Sequence, residues 1–369
     1  MKRLPFIPQL DSFRFFSVLT VIVFHWLPSF GILHYADVGV GFFFVLSGFL
    51  ISSNLLYLKQ SIDSEEMTSG QALLLFYYRR ALRIFPLYYL VIILLLLLIP
   101  AIFEGNFAWY ALYAPNLLFF CKQHFAGMLS HFWSLGVEEQ FYLLWPMLIF
   151  FVPWRRLKGL FVITVLVSIL FKVLFPLFSH NGFYGALPFS QFDFFGMGAL
   201  LAYLPFSRFS SLLEKKNSRL ILFVVSLVLT VSARRIASLG ILANLGLSGC
   251  GLAIILQAQK GFRGLFGKLL DLPLLQYLGK ISYGLYVYHS FMPWLWRCLT
   301  GQEARYPLPI ALFTKPWMSN AWVNQIAQLS LLLIIASLSW FLFEKPINSL
   351  KNSILVGKRR PLQVQEIPR

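Results

Sequence analysis

The sequence predicts an all-α integral membrane protein, a bundle of about ten transmembrane helices with both termini in the cytoplasm. Three observations carry this. Hydrophobic residues fill 58% of the 369 positions and charged residues only 12%, with 39 phenylalanines. A soluble domain of this size needs far more charge to cover its surface. The apolar residues lie in continuous runs rather than in the short alternating segments of a β-barrel, and only helices satisfy every backbone group inside such runs. The basic residues fall in short clusters between the runs, as cytoplasmic loops require; this placement, despite a net charge of +17, argues against nucleic acid as a partner.

In chain order, spans are expected at about 12–28, 39–58, 84–103, 132–152, 159–178, 191–206, 220–238, 240–258, 281–298 and 322–343. The first follows the basic start MKRLPFIPQ, with no convincing small-residue cleavage site behind it, and is read as a retained helix. The second contains Gly39, Gly41 and Gly48 in VGVGFFFVLSGFLI, where small residues allow close helix approach. The third follows the basic FYYRRALRIF, and the fourth opens on HFWSLGVEEQ. The stretch 105–125 is aromatic and semi-polar and reads as a re-entrant or interfacial segment. The sixth span is short, and the seventh and eighth meet at a tight junction. With the N-terminus inside, 23 of the 31 Lys and Arg residues fall in cytoplasmic segments and 5 in outer ones, which fixes the orientation. Residues 1–350 read as one membrane domain and 351–369 as a basic cytoplasmic tail. Cys121, Cys250 and Cys298 have neither the number nor the spacing of a disulfide framework or a zinc site, and no metal is expected.

Ionisable side chains inside spans need a reason. Arg14 and His25 are eleven residues apart on the first span, about three turns and roughly 16 Å, so they share a helix side. His25 could exchange protons near neutrality; a core histidine bonded to a carbonyl would leave the same signature. Arg79, Arg80 and Arg83 lie at helical spacing near the membrane level of Arg14. Forked guanidinium groups suit phosphates, so these four make a polyphosphate site, although any one of the cluster would also serve as positive-inside anchoring. Adjacent Glu138 and Glu139 project about 100° apart, so one is expected to face inward, to orient or balance a His or Arg, and the other the interface. His131 and Trp133 read as interface anchors. His289, mid-span, is open to a catalytic or a structural role, and Asp193 reads as an interfacial carboxylate. Ser47 lacks the Gly-x-Ser-x-Gly elbow of a nucleophile, and no Walker, dinucleotide or His-Glu-x-x-His motif is present.

Taken together, LDSFRFFSVLTVIVFH, GVGFFFVLSGFLI, RRALRIFPLYYL, HFWSLGVEEQFYLLWP, LGKISYGLYVYHS and the closing FEKP resemble the acyltransferase 3 family of membrane acyltransferases over essentially the whole chain. The resemblance implies a ten-helix membrane domain in a bacterial inner membrane. It implies transfer of an acyl group, usually acetyl from cytoplasmic acetyl-CoA, to a carbohydrate hydroxyl on the outer side, such as a surface polysaccharide or its lipid-linked precursor. By motif position it makes His25 the catalytic candidate, Arg14 its essential partner, Arg80 and Arg83 the donor-binding pair, with Arg79 beside them, and Glu138 the carboxylate of the WSLxVE motif. Gly41 and Gln191 stand where many relatives have Asp and Arg, which bears on acceptor choice. The chain is expected to lack the fused periplasmic esterase-like domain of some relatives. A transporter or flippase for a glycan or lipid-linked intermediate would use buried charges in the same way, but the sequence contains no internal repeat.

Overall fold

The computed structural model describes residues 6–27, 36–204, 215–236, 239–302, 305–308 and 320–351. The regular elements among them are all helical. The first eight α-helices are α1 (Pro8–Trp26), α2 (Ala36–Asp63), α3 (Ser69–Leu98), α4 (Phe107–Ala111), α5 (Pro115–Lys122), α6 (Phe132–Phe151), α7 (Trp154–Phe178) and α8 (Phe192–Tyr203). Beyond them lie α9 (Lys216–Arg234) and α10 (Gly240–Lys260), four short helices between Gly264 and Leu299, and Ala321–Ser339, which runs through a π-turn at Trp340–Glu344 into Lys345–Ser349.

Six of these helices are long and apolar enough to cross a membrane: Val38–Asp63, Ser69–Leu98, Trp154–Phe178, Lys216–Arg234, Gly240–Lys260 and Trp322–Ser349. They correspond to six of the ten expected spans. Helices α1 and α6 have 19 and 20 residues, enough for about 30 Å at 1.5 Å per residue, but carry the polar residues that mark the site. The other two expectations need correction. The sixth span is a helix of only 12 residues, and the ninth is broken into Ser282–Tyr288, a 3-10 turn at His289–Phe291, and Met292–Leu299. The stretch 105–125 forms the two short helices α4 and α5 rather than a span. The basic tail, past Lys351, lies outside the described residues.

The third helix starts well before its expected boundary. Thr68 caps it reciprocally with Gln71, satisfying two end donors at once. The arginine cluster therefore sits inside a 30-residue helix, where the backbone holds its spacing. Helix α2 is the centre of the bundle: 72% of its most apolar window is buried, against 28% for α7. The outward face of α7, with Ile163, Leu166 and Leu170 exposed, is an apolar surface suited to lipid. Helices α2 and α8 cross backbone to backbone. A Cβ at Gly48 would lie 2.2 Å from the Phe195 carbonyl oxygen, and one at Gly198 would lie 2.1 Å from that of Val45, so only glycine permits the crossing.

Asp193, expected at the interface, is fully buried. It accepts from Lys172 Nζ at 2.6 Å and from Ser168 at 3.1 Å, joining α7 to α8. Removing one member of a buried pair strands the other charge, at a cost of about 3–5 kcal/mol. Asp193→Ala is therefore expected to lower the melting temperature of the detergent-purified protein sharply, and adding Lys172→Met is expected to recover most of the loss. Equal melting of Asp193→Ala and wild type would contradict the pair's role.

Candidate active site

The arginines expected to hold phosphate meet in one cavity of about 930 Å³, near the upper end of the range of about 300–1,000 Å³ for ligand pockets. Arg14 reaches it from α1, and Arg79, Arg80 and Arg83 from α3; Lys280 and Lys351 add two cations. The carboxylates on the same walls are Asp11, Glu138 and Glu344. Cations thus outnumber anions six to three among the lining residues, as a polyanionic ligand requires. Arg83 acts electrostatically on both Arg14 and Arg80, and like charges held this close repel. A polyanion relieves that repulsion, whereas a neutral ligand does not.

Two of the cations are steered by neighbours. Arg14 donates to Asp11 one turn before it. The backbone of Asp11 touches Gly279, where a Cβ would lie 1.8 Å from its carbonyl oxygen; the glycine of the LGK segment thus lets the helix Pro273–Lys280 press against α1. Arg80 lies over the rings of Tyr142 and Phe76, at 5.5 and 5.9 Å from their centroids, in cation–π geometry. Glu344, from the FEKP segment, accepts from Ser339 at 3.0 Å.

Glu138 lines the cavity and accepts from Ser47 and from Tyr142. Ser47, without a nucleophile elbow, thus serves as a ligand of this carboxylate. Of the two roles open to Glu138, orienting an imidazole or balancing an arginine, its position fits the second: its charge acts on Arg80. His131 lies seven residues earlier in the chain, about 10 Å higher by helical rise. Glu139 does not face an interface. It is half-buried, its Oε1 has no hydrogen-bond partner, and its charge acts on Tyr88, Tyr113 and Tyr283.

The cavity ends above at a pair of hydroxyls. Ser134 Oγ and Tyr286 OH lie 2.5 Å apart, and both reach the carbonyl oxygen of His131, at 3.2 and 3.0 Å. Beyond that wall lie three imidazoles. The His289 ring is centred 5.0 Å from His131 on one side and 5.0 Å from His25 on the other. His25 is exposed at the end of α1 and does not line the cavity. Arg14 and His25 thus occupy the same helix side with a wall at the level between them. His25 Nδ1 lies 2.8 Å from the Val21 carbonyl oxygen. A carbonyl only accepts, so Nδ1 carries the hydrogen and Nε2 is left as the basic atom.

His131, expected as an interface anchor, is buried, and both its nitrogens contact carbonyl oxygens, of Met128 and Val287, at 3.1 Å each. The nearness of His131 and His289 to His25 depends on three segments far apart in the chain, so no local spacing reveals it. Lys280, Lys351 and Glu344 were missed as site residues for the same reason, although FEKP was itself a signal. At Gly41 a Cβ would lie 2.9 Å from Leu247 and 3.0 Å from Phe194, so that position has no room for a longer side chain without repacking. Gln191 donates to the Gly185 carbonyl at 2.7 Å.

The site thus combines clustered cations, a chamber of about 930 Å³ and a histidine beyond its wall. A family model described as "Acyltransferase domain", the acyltransferase 3 family, matches residues 7–344, and the chain belongs to that family. It is 24% identical to the peptidoglycan O-acetyltransferase OatA of Listeria monocytogenes, over 93% of this chain and 56% of that protein. It is 31% identical to the O-acetyltransferase OatA of Staphylococcus aureus, over 44% of this chain and 28% of that protein. The chain thus spans from about a quarter to about half the length of these relatives. No solved structure matches it.

Proposed function

We propose that this chain is a multi-pass membrane O-acetyltransferase of a bacterial inner membrane. It takes acetyl from cytoplasmic acetyl-CoA held in the basic cavity and delivers it to a hydroxyl of a surface carbohydrate. The observation that carries this reading is the clustering of Arg14, Arg79, Arg80, Arg83, Lys280 and Lys351 in one cavity, with His25 beyond its upper wall. The phosphates of the donor pair with the guanidinium groups of Arg80 and Arg83, with Arg79 beside them and Arg14 above. His25, presenting Nε2, removes the proton from the acceptor hydroxyl as that oxygen attacks the thioester, or takes the acyl group itself and passes it on.

The excess of Lys and Arg on one side supports a ten-span topology with both termini inside; of the two short or broken elements, the broken one lines the cavity through Ser282, Tyr283 and Tyr286. The names of the relatives support O-acetyl transfer, and the Listeria protein's name makes peptidoglycan one acceptor to try beside exported polysaccharides. The test is to incubate purified protein with labelled acetyl-CoA and a panel of such glycans. Label covalently attached to a glycan is the expected result. Vesicle uptake of a glycan with no covalent product would instead establish a transporter.

A further inference from the structure

We propose that a second, smaller pocket on the His25 side of the molecule binds one anionic residue of the acceptor glycan through Arg297 and Arg305, and so holds the acceptor beside His25. The inference rests on the acetyl-transfer reading and names what that reading leaves open, the charge class of the acceptor. The pocket has a volume of about 190 Å³, and Arg297, Arg305, His124 and Glu104 are among its lining residues. That volume falls below the range of about 300–1,000 Å³ for drug-sized ligands, so it takes a single sugar residue while the rest of a glycan stays outside. The pocket shares no lining residue with the donor cavity. Glu104 follows the end of α3 at Leu98, which lies about 22 Å along that helix from Arg83.

Fixed contacts tie this pocket to His25. The carbonyl oxygen of Met128, a residue of the pocket wall, lies 3.1 Å from His131 Nδ1. The His131 ring is centred 5.0 Å from that of His289, which is centred 5.0 Å from that of His25. The 3-10 turn that begins at His289 runs straight into Met292–Leu299, the helix that gives the pocket Trp294 and Arg297. Trp26, next to His25, donates from its indole nitrogen to the His289 carbonyl at 3.1 Å. The broken ninth span therefore borders His25 and presents Arg297 a few residues further on. A glycan with one residue seated in the pocket has its neighbouring residues within reach of the imidazole.

The lining selects an anion. Among the described lining residues, two guanidinium groups stand against one carboxylate, and forked donors suit carboxylates and phosphates. The Arg305 guanidinium lies 5.3 Å from the centre of the Tyr306 ring, in cation–π geometry that helps to fix its plane. Tyr306 is itself anchored, because its carbonyl accepts from Trp294 Nε1 at 3.0 Å. Asn106 holds the Glu104 segment by donating to the Phe103 and Glu104 carbonyls at 3.2 and 2.7 Å. The Glu104 carboxylate accepts from sugar hydroxyls, and the His124 imidazole can donate or accept. Ile102 and Met128 add apolar wall for the C–H edges of the ring. A neutral sugar gains from Glu104 and His124 alone. An anionic one gains from both arginines as well, which sets the charge class.

The test measures binding of fluorescently labelled trisaccharides to the full chain in detergent, with CoA at saturation so that the donor cavity is filled. The probes are trigalacturonate, its carboxyl-reduced neutral form, maltotriose and a phosphorylated maltotriose. At least one anionic probe is expected to bind about tenfold or more tightly than its neutral counterpart; which one does so assigns the anion as carboxylate or phosphate. Arg297→Gln and Arg305→Gln should each weaken that binding about tenfold or more, the scale of a lost charge-assisted hydrogen bond, with CoA binding within twofold of wild type. Both side chains are exposed, so the variants should fold; if one loses CoA binding, the other decides alone. Failure of both anionic probes to bind, equal binding of charged and neutral forms, or unchanged binding in a variant that retains CoA overturns the proposal. A wild type that binds an anionic probe yet transfers acetyl to no glycan would instead refute the reading on which the proposal rests.

Discussion

His25→Ala is expected to reduce acetyl transfer to background, at least the roughly 10²–10⁴-fold that general-base catalysis supplies. The loss should exceed that range if the imidazole also carries the acyl group. The reasoning starts from the atom that remains basic. Val21 fixes the hydrogen on Nδ1, so Nε2 is available without any tautomer change. Because His25 stands outside the donor cavity, its removal should leave acetyl-CoA binding within twofold of wild type. That split between lost turnover and retained binding separates a chemical role from a folding defect. His25→Gln should be as inactive as His25→Ala, since an amide offers no base at neutral pH. Measuring labelled acetyl on the glycan together with acetyl-CoA binding checks both halves; normal transfer by either variant would remove His25 from the mechanism.

Arg80→Ala and Arg83→Ala are expected each to raise KM for acetyl-CoA by about 10–100-fold, from the loss of charge-assisted hydrogen bonds of about 1.5–3 kcal/mol. Lysine should not restore Arg80 fully. A lysine keeps the charge but loses the flat fork and the stacking over Tyr142 that guanidinium allows. Arg83→Ala also removes the charge that repels Arg14 and Arg80, so its net effect should be the smaller of the two. Saturation kinetics with acetyl-CoA, repeated at higher salt, check this. A kcat loss at unchanged KM would place these arginines at the chemical step rather than at the donor phosphates.

Much of this architecture was legible from local pattern. Apolar run length marked the six helices that are long enough to cross, because it reports directly on lipid burial. Helical spacing placed Arg80 with Arg83, and α3 holds both on the same cavity. Glycine content anticipated the α2 contact at Gly48, where backbone meets backbone. What pattern missed was set by distant parts of the chain. Asp193 read as interfacial because nothing nearby in sequence shows that Lys172 folds against it. One of Glu138 and Glu139 was expected at an interface, because a 100° separation does not tell which faces are lined by protein. Capping extended α3 toward its N-terminus, through a Thr68–Gln71 exchange that an apolarity window does not detect. The hydroxyl wall between Arg14 and His25, and the histidines behind it, come from residues as far apart as 134 and 286.

The central claim is that donor and acceptor meet from opposite faces of the membrane. Inside-out membrane vesicles carrying this protein, with a glycan acceptor sealed in the lumen and labelled acetyl-CoA added outside, test it most directly. The expected result is label on the enclosed glycan with wild-type protein and none with His25→Ala. Label appearing only on glycan added to the same side as acetyl-CoA, with the enclosed glycan unmodified, would contradict it.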